Sequence, residues 1–330
     1  LPAPPKPLAT GDAVIADPEQ TELNRVQLRY RGIPRLDLTL GRQRLMWDNQ
    51  RFIGNVGFRQ DEQTFDAFSA AYTGITDLTV NYAYVDHVDG IIETTDANVS
   101  DSLVNIAYTG LTVGKLIAYN YALSNQTYDL ATLNPGLNYD HNDTRGLRFD
   151  GAYVLPTTVP LKALYRAEYA KQRVEMRDGK KYDTDYKLAE LGMAWTFGGG
   201  AYVLTPLIGD EILGADESLR VAGDVKDKGV YAFQTPYATK HIFNGWVDQF
   251  LTTPVQGLDD RYVSLGLDLN NYTTKILFMY HEYQSDVEAA KLGSKLDLGS
   301  ETNIQIMKTI GANWTIGTKY GEYQQGDAAD

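Results

Sequence analysis

Between Glu22 and Tyr320 the chain alternates apolar and polar residues with a period of two, and it does so about 14 times. That period places successive side chains on opposite faces of an extended strand. Val26, Leu28 and Tyr30 oppose Arg25, Gln27 and Arg29, and Leu36, Leu38 and Leu40 oppose Arg35, Asp37 and Thr39. Further on, Leu147 and Phe149 oppose Arg148 and Asp150, and Tyr165, Ala167 and Tyr169 oppose Arg166 and Glu168. The last such segment sets Trp314, Ile316 and Tyr320 against Asn313, Thr315 and Lys319. Short turns and long polar loops take turns along this series. That rhythm is required of a barrel crossing a membrane, where one rim carries tight turns and the other carries loops. Soluble sandwiches do not alternate turn lengths in this way, and the fixed-period repeat of a propeller is missing.

The fold class expected is therefore all-β, a transmembrane antiparallel β-barrel in the bacterial outer membrane. No apolar run approaches the roughly 18 residues of a membrane helix. The 23 tyrosines suit a membrane interface, where the ring has an apolar body and a wet tip. The absence of cysteine removes disulfide scaffolds, zinc fingers and thiol catalysis. A net charge of -13 argues against nucleic acid as a partner. Residues 1–20 read as a flexible Pro-rich start, and residues 21–330 as one barrel domain. The segment 86–101 reads as an acidic loop and the stretch from Tyr320 to the last residue as a loop. With the abrupt start at Leu1, this leads to the expectation that terminal strands are lacking and that the intact barrel has 16 to 18.

Charge is unevenly placed. Eight arginines fall between residues 22 and 60, against the three carboxylates Glu22, Asp37 and Asp48. Alternation puts Arg25, Arg29, Arg148 and Arg166 on the lumenal face, where planar guanidinium groups suit carboxylates. The bland reading is a structural ladder pairing them with lumenal Asp and Glu. Arg42 and Arg44 share the parity of Leu36 to Leu40, so either a bulge at Gly41 re-aims them or the strand has left the bilayer there. A second candidate is 231–262, where aromatic residues intersperse with Lys240, His241, Asn244 and Asp248. This segment suits either a carbohydrate contact surface or an inward loop packed on itself, and 238–251 has room for a short helical turn. The four histidines have no metalloprotease spacing. The acidic stretches 138–143 and Asp259–Asp260 lack EF-hand spacing. No catalytic residue, metal or cofactor is expected.

Two stretches carry a family resemblance. Gly41-Arg42-Gln43, then Asp48 to Gly54, then Phe58-Arg59-Gln60 and Thr64-Phe65-Asp66, resemble an early motif of the alginate-export family of outer-membrane proteins. Residues 233–266 look like that family's second signature. The resemblance implies a monomeric barrel of about 18 strands with an arginine-rich lumen, surrounded by outer-membrane lipid and passing an anionic polysaccharide or oligosaccharide by facilitated diffusion. It also implies loops folded inward as gates. The pore-lining set would be Arg25, Arg29, Arg42, Arg44, Arg51, Arg59, Arg148 and Arg166. The gating loop would carry Lys240, His241, Asn244, Trp246 and Asp248. Other readings of the residues are a general or small-organic-anion porin and, from another class, an outer-membrane hydrolase.

Overall fold

The computed structural model describes residues 23–59, 61–91, 96–127, 139–216, 231–288 and 294–327. The expectation for residues 1–20 lies outside them. Fourteen strands form one antiparallel sheet in which every strand pairs with its sequence neighbours. They are β1 Val26–Tyr30, β2 Leu36–Gln43, β3 Thr64–Ile75, β4 Leu78–Asp89, β5 Ala97–Leu111, β6 Gly114–Ser124 and β7 His141–Val154. They continue as β8 Leu161–Glu175, β9 Lys181–Phe197, β10 Tyr202–Leu213, β11 Leu258–Leu269, β12 Thr274–Gln284, β13 Asp297–Ile310 and β14 Trp314–Gln324. No described helix is long and apolar enough to cross a membrane, so crossing falls to the strands.

The period of two fixes both faces of the sheet. Leu28, Leu40, Leu147, Leu191, Ile208 and Leu265 are among the exposed apolar side chains and form an outer belt. A globular surface would not leave so continuous an apolar band in water; a bilayer accounts for it. On the other face Leu103, Ile117, Arg148, Glu168, Tyr186 and Glu301 are buried. The outer face is therefore almost wholly apolar, while the inner face mixes buried charged and polar groups with apolar ones, unlike the dry core of a soluble sandwich.

The loops also sort by end. β3–β4, β5–β6, β9–β10, β11–β12 and β13–β14 join through two to four residues each, at one rim. At the other rim stand the long connections 44–63, 125–140, 214–257 and 285–296. The links 90–96 and 176–180 are the shorter ones there.

Two expectations are corrected. The segment 86–101 is mostly strand, because β4 runs to Asp89 and β5 begins at Ala97, with a register shift between Val85 and His87. Its acidic composition hid the pairing. The stretch after Tyr320 continues β14 to Gln324, paired with Ser300. Lys319, Gly321 and Tyr323 keep the inner face while Tyr320 stays outside, a period too short and polar to stand out in sequence.

β1 and β14 do not pair with each other, so each leaves an unpaired edge among the described residues. The edges matter because hydrocarbon supplies no hydrogen bonds to an open backbone.

The outer belt makes a quantitative prediction. Leu265→Lys, a charge on the outward face of β11, should lower unfolding stability in lipid vesicles by about 2–4 kcal/mol. Tyr262→Phe, on the inner face, should cost less, as measured by denaturant titration of both variants.

Candidate functional site

The two segments singled out in the sequence meet inside the barrel. Residues 44–63 leave β2 and fold onto the inner face, and so do residues 231–257 between β10 and β11. They join through backbone. Ile53 and Tyr237 form a parallel bridge. The Gly54 N–H donates to the Tyr237 carbonyl at 2.8 Å, and the Thr239 N–H donates to the Gln50 carbonyl at 3.0 Å. The Gln63 amide reaches the carbonyls of both Gly54 and Tyr237, at 2.8 and 3.2 Å. The sheet curls around this pair, since inner residues of most strands touch it. The Tyr237 hydroxyl donates to Asp101 of β5 at 2.7 Å, and the Gln172 amide of β8 to the Gln234 carbonyl at 2.8 Å. Phe52 packs on Tyr119 and Tyr186, and Phe65 on Tyr237.

Arg51 is the centre of the contact. It is 2 % exposed, and its guanidinium forks onto Glu211 of β10 at 2.7 and 3.1 Å. It also donates to the Asn244 amide oxygen at 2.8 Å and lies 4.7 Å from the Phe243 ring centroid. Asn244 returns its amide hydrogens to Glu211 and to Asp260 of β11, at 2.7 and 2.9 Å. Every acceptor of this buried charge is thus held by the wall or by the other segment. Lys240 to Ile242 form a single 3-10 turn, the short helical turn expected within 238–251.

The second knot sits around Asp248. Arg59 donates to Asp248 at 2.9 Å, and His241 Nδ1 lies 2.9 Å from its other oxygen. Phe58 stacks on the His241 ring at 3.9 Å between centroids. Lys319 of β14 stands over Phe58 and Trp246, at 5.1 and 4.7 Å, with its ammonium 3.4 Å from His241 Nε2. Phe58 belongs to the first motif and Lys319 to the polar face of the last strand, but that they meet at His241 leaves no local pattern in the sequence.

Beside this knot is a cavity of about 300 Å³, lined by Arg59, Lys240, His241 and Asp248 among apolar Val88, Ala97 and Leu251. The Arg59 Nη1 atom is buried and has no hydrogen-bond partner. Lys240 has no ion-pair partner among the described residues. Burial, with the nearby positive charge of Arg51, lowers the Lys240 ammonium from its usual 10.5 to about 8.

The wall arginines behave differently. Arg148 contacts Asp150 and Glu168, and Arg166 contacts Asp150 and Glu190. Tyr119 and Tyr262 donate to Glu168 and Glu190. Arg29 pairs with Asp37. These form the ladder given above as the bland reading. Arg25 precedes β1 and does not share in the ladder. Arg44 pairs with Glu62 where the first inward segment starts.

Arg42 is placed differently from the pore-lining role expected of it. Register through Gly41 is regular against both neighbours, so Arg42 keeps the outward parity of Leu36 to Leu40. It binds Asp66 at 2.9 Å and Asp89 at 2.6 Å on the loop-bearing end. The strand has passed the apolar belt there, as the second of the two explanations for its parity requires. Three histidines are also committed: His87 to Asn98, His241 to Asp248 and His281 to Asp260.

No protein-family description and no curated protein matches the chain by sequence, and the alginate-export resemblance finds no support there. Solved structures match in fold. Acinetobacter baumannii OccAB4 superposes with a TM-score of 0.62 at 12% identity, covering 90% of this chain and 69% of that one. Pseudomonas aeruginosa OpdL gives 0.59 at 12%, covering 90% and 76%. P. aeruginosa OpdK, solved with vanillate, gives 0.60 at 11%, covering 91% and 73%. These neighbours are outer-membrane β-barrel porins, and at such identities the likeness establishes the fold. The apolar belt and this fold together make the chain a bacterial outer-membrane barrel.

Removing the Arg51 side chain leaves Glu211 buried without its counter-charge. Arg51→Ala should therefore destabilise the barrel by about 3–5 kcal/mol. Surface Arg173→Ala, whose pair with Asp183 is exposed, should cost about 0–1 kcal/mol in the same denaturant titration.

Proposed function

We propose that the chain is a passive porin for small organic anions, with the two inward segments forming its constriction. The observation that carries this reading is the contrast between wall and constriction. The wall arginines Arg148 and Arg166 are each shared by two carboxylates, so their field is largely neutralised. At the inward segments Lys240 and Arg59 Nη1 are cationic donors short of acceptors, beside a 300 Å³ cavity. In a chain of net charge -13 this is a local excess of positive charge. Conduction needs attraction that is weak enough to release, which a few partly buried cations supply better than a continuous ladder.

A cavity lined by cationic Arg59 and Lys240 together with apolar Val88, Ala97 and Leu251 suits a small carboxylate with an apolar body. Vanillate, present in the OpdK structure, is an anion of that class. An anionic polysaccharide such as alginate would call for a row of free guanidinium groups along the lumen. Pairing of Arg29, Arg148 and Arg166 supports the small-anion reading over that one. The gating-loop assignment of Lys240, His241, Asn244, Trp246 and Asp248 and the pore role of Arg51 and Arg59 are part of this proposal, with Asn244 and Arg51 holding the loop and Lys240 and Arg59 meeting the ion. The unpaired edges of β1 and β14 call for further strands in the bilayer, and the closed barrel works as a monomer.

Current through single channels in planar bilayers tests the reading. Benzoate should block the chloride current, and Lys240→Ala should weaken that block about tenfold. The block should also fade as pH rises through about 8, because the ammonium is charged below that value and neutral above it. Folding stability should move the other way, rising between about 8 and 10.5, where the unfolded chain holds the extra proton. Block by oligouronate but not by benzoate would favour the polysaccharide reading, and cation selectivity would contradict both.

A further inference from the structure

Beside the inward segment at Gly245–Val247, three buried side chains carry polar atoms that meet no hydrogen-bond partner. They are the Tyr283 hydroxyl on β12, and Glu301 Oε2 and both amide atoms of Asn303 on β13. All three residues are at most 1 % exposed. They gather about Gly245. A Cβ on Gly245 would stand 2.3 Å from Glu301 Oε2 and 2.4 Å from the Tyr283 hydroxyl. Glycine with φ of 90° at this position lets the backbone come close to both oxygens. Asn303 Oδ1 and Glu301 Oε1 lie together against Gly321 of β14, at 3.0 and 3.7 Å from its Cβ position.

Charge does not balance on this wall. Glu211, Asp259, Asp260 and Glu301 are four buried carboxylates on β10, β11 and β13, and Asp259 pairs with Arg261 and Lys295. Arg51 takes Glu211, and His281 Nδ1 takes Asp260 at 2.9 Å. Glu301 accepts the Val247 N–H at 2.9 Å on Oε1, with the Trp246 N–H, the Asn303 amide and His281 close by, while its Oε2 has no partner and the carboxylate makes no ion pair among the described residues. A buried carboxylate without a counter-charge is costly, and it draws in either a cation or a proton. The donors offered are all oxygen: a carboxylate, an amide carbonyl and a phenol. Such a set suits a hard cation with flexible coordination rather than zinc or copper.

We propose that Glu301, Asn303 and Tyr283 form a calcium site that clamps the inward segment at Gly245–Val247 to β13. The site goes beyond the porin reading and is independent of it, since Lys240 and Arg59 lie outside it. It makes the position of one side of the constriction dependent on calcium.

Terbium luminescence tests the site, because Tyr283 is itself the antenna for an ion bound beside it. The purified, detergent-folded chain should show tyrosine-sensitised terbium emission that calcium displaces. Glu301→Gln keeps the acceptor for the Val247 N–H and removes the charge, and should weaken terbium binding at least tenfold. Asn303→Asp adds a charge and should tighten it about tenfold. Asp96→Asn, in the separate His87–Asp89–Asp96 group near Arg42, should leave the emission unchanged. Folding of each variant is checked by its gel mobility before and after heating. Wild-type protein without calcium-displaceable emission overturns the proposal and assigns a proton to Glu301. Emission unaffected by E301Q, or lost in D96N instead, overturns it as well. Should E301Q not fold, N303D carries the test alone, and unchanged affinity there counts against the site.

Discussion

The buried fork of Arg51 on Glu211 is the contact on which the interior depends. A guanidinium and a carboxylate removed from water repay their desolvation only if the remaining donors and acceptors are also met. Asn244 meets them from the second inward segment and extends the bond to Asp260. One charged pair thereby ties three separate parts of the chain together: the 44–63 segment, the 231–257 segment and the wall at β10–β11. The backbone bridge between Ile53 and Tyr237 adds direction to this attachment, since it sets the register of one segment on the other.

That architecture divides the basic residues into two kinds. Cations on the wall are spent on neighbouring strands, where register puts Arg148 opposite Glu168 and Arg166 opposite both Asp150 and Glu190. Such ladders stiffen the inner face and leave little net field. Cations on the inward segments are arranged less completely, and Lys240 and the second terminal nitrogen of Arg59 remain available. Under the proposed porin reading, attraction for an anion is concentrated at these segments, where burial lessens solvent screening.

Much of the wall was legible in the chain because strand parity is a local property. The outer positions Leu36 to Leu40, Leu147 and Ile316, and the inner positions Arg148 and Glu168, all follow from a period of two. The parity conflict at Arg42 was also visible, and regular pairing through Gly41 resolves it in favour of a strand end beyond the belt. Two kinds of information were not local. Polar strand ends such as 86–89, 97–101 and 321–324 look like loops until their partners are known. The partners of Arg51 lie 160 and 193 residues away, and no spacing rule connects Arg51 to Glu211 or Asn244. The two motif segments could be recognised separately; that they dock on each other is a fact of the fold.

Docking of the two segments is the claim on which the constriction stands, and cross-linking measures it directly. The Thr239 N–H and hydroxyl meet the Gln50 carbonyl and side-chain oxygen at 3.0 and 2.8 Å, an approach within reach of a disulfide, and the chain has no cysteine of its own. In the double variant Gln50→Cys, Thr239→Cys, the two thiols should oxidise to one intramolecular bond in the folded protein, seen as the loss of free thiol by mass spectrometry. Two thiols that stay free in folded protein under oxidising conditions, and react separately with a soluble maleimide, would contradict the account.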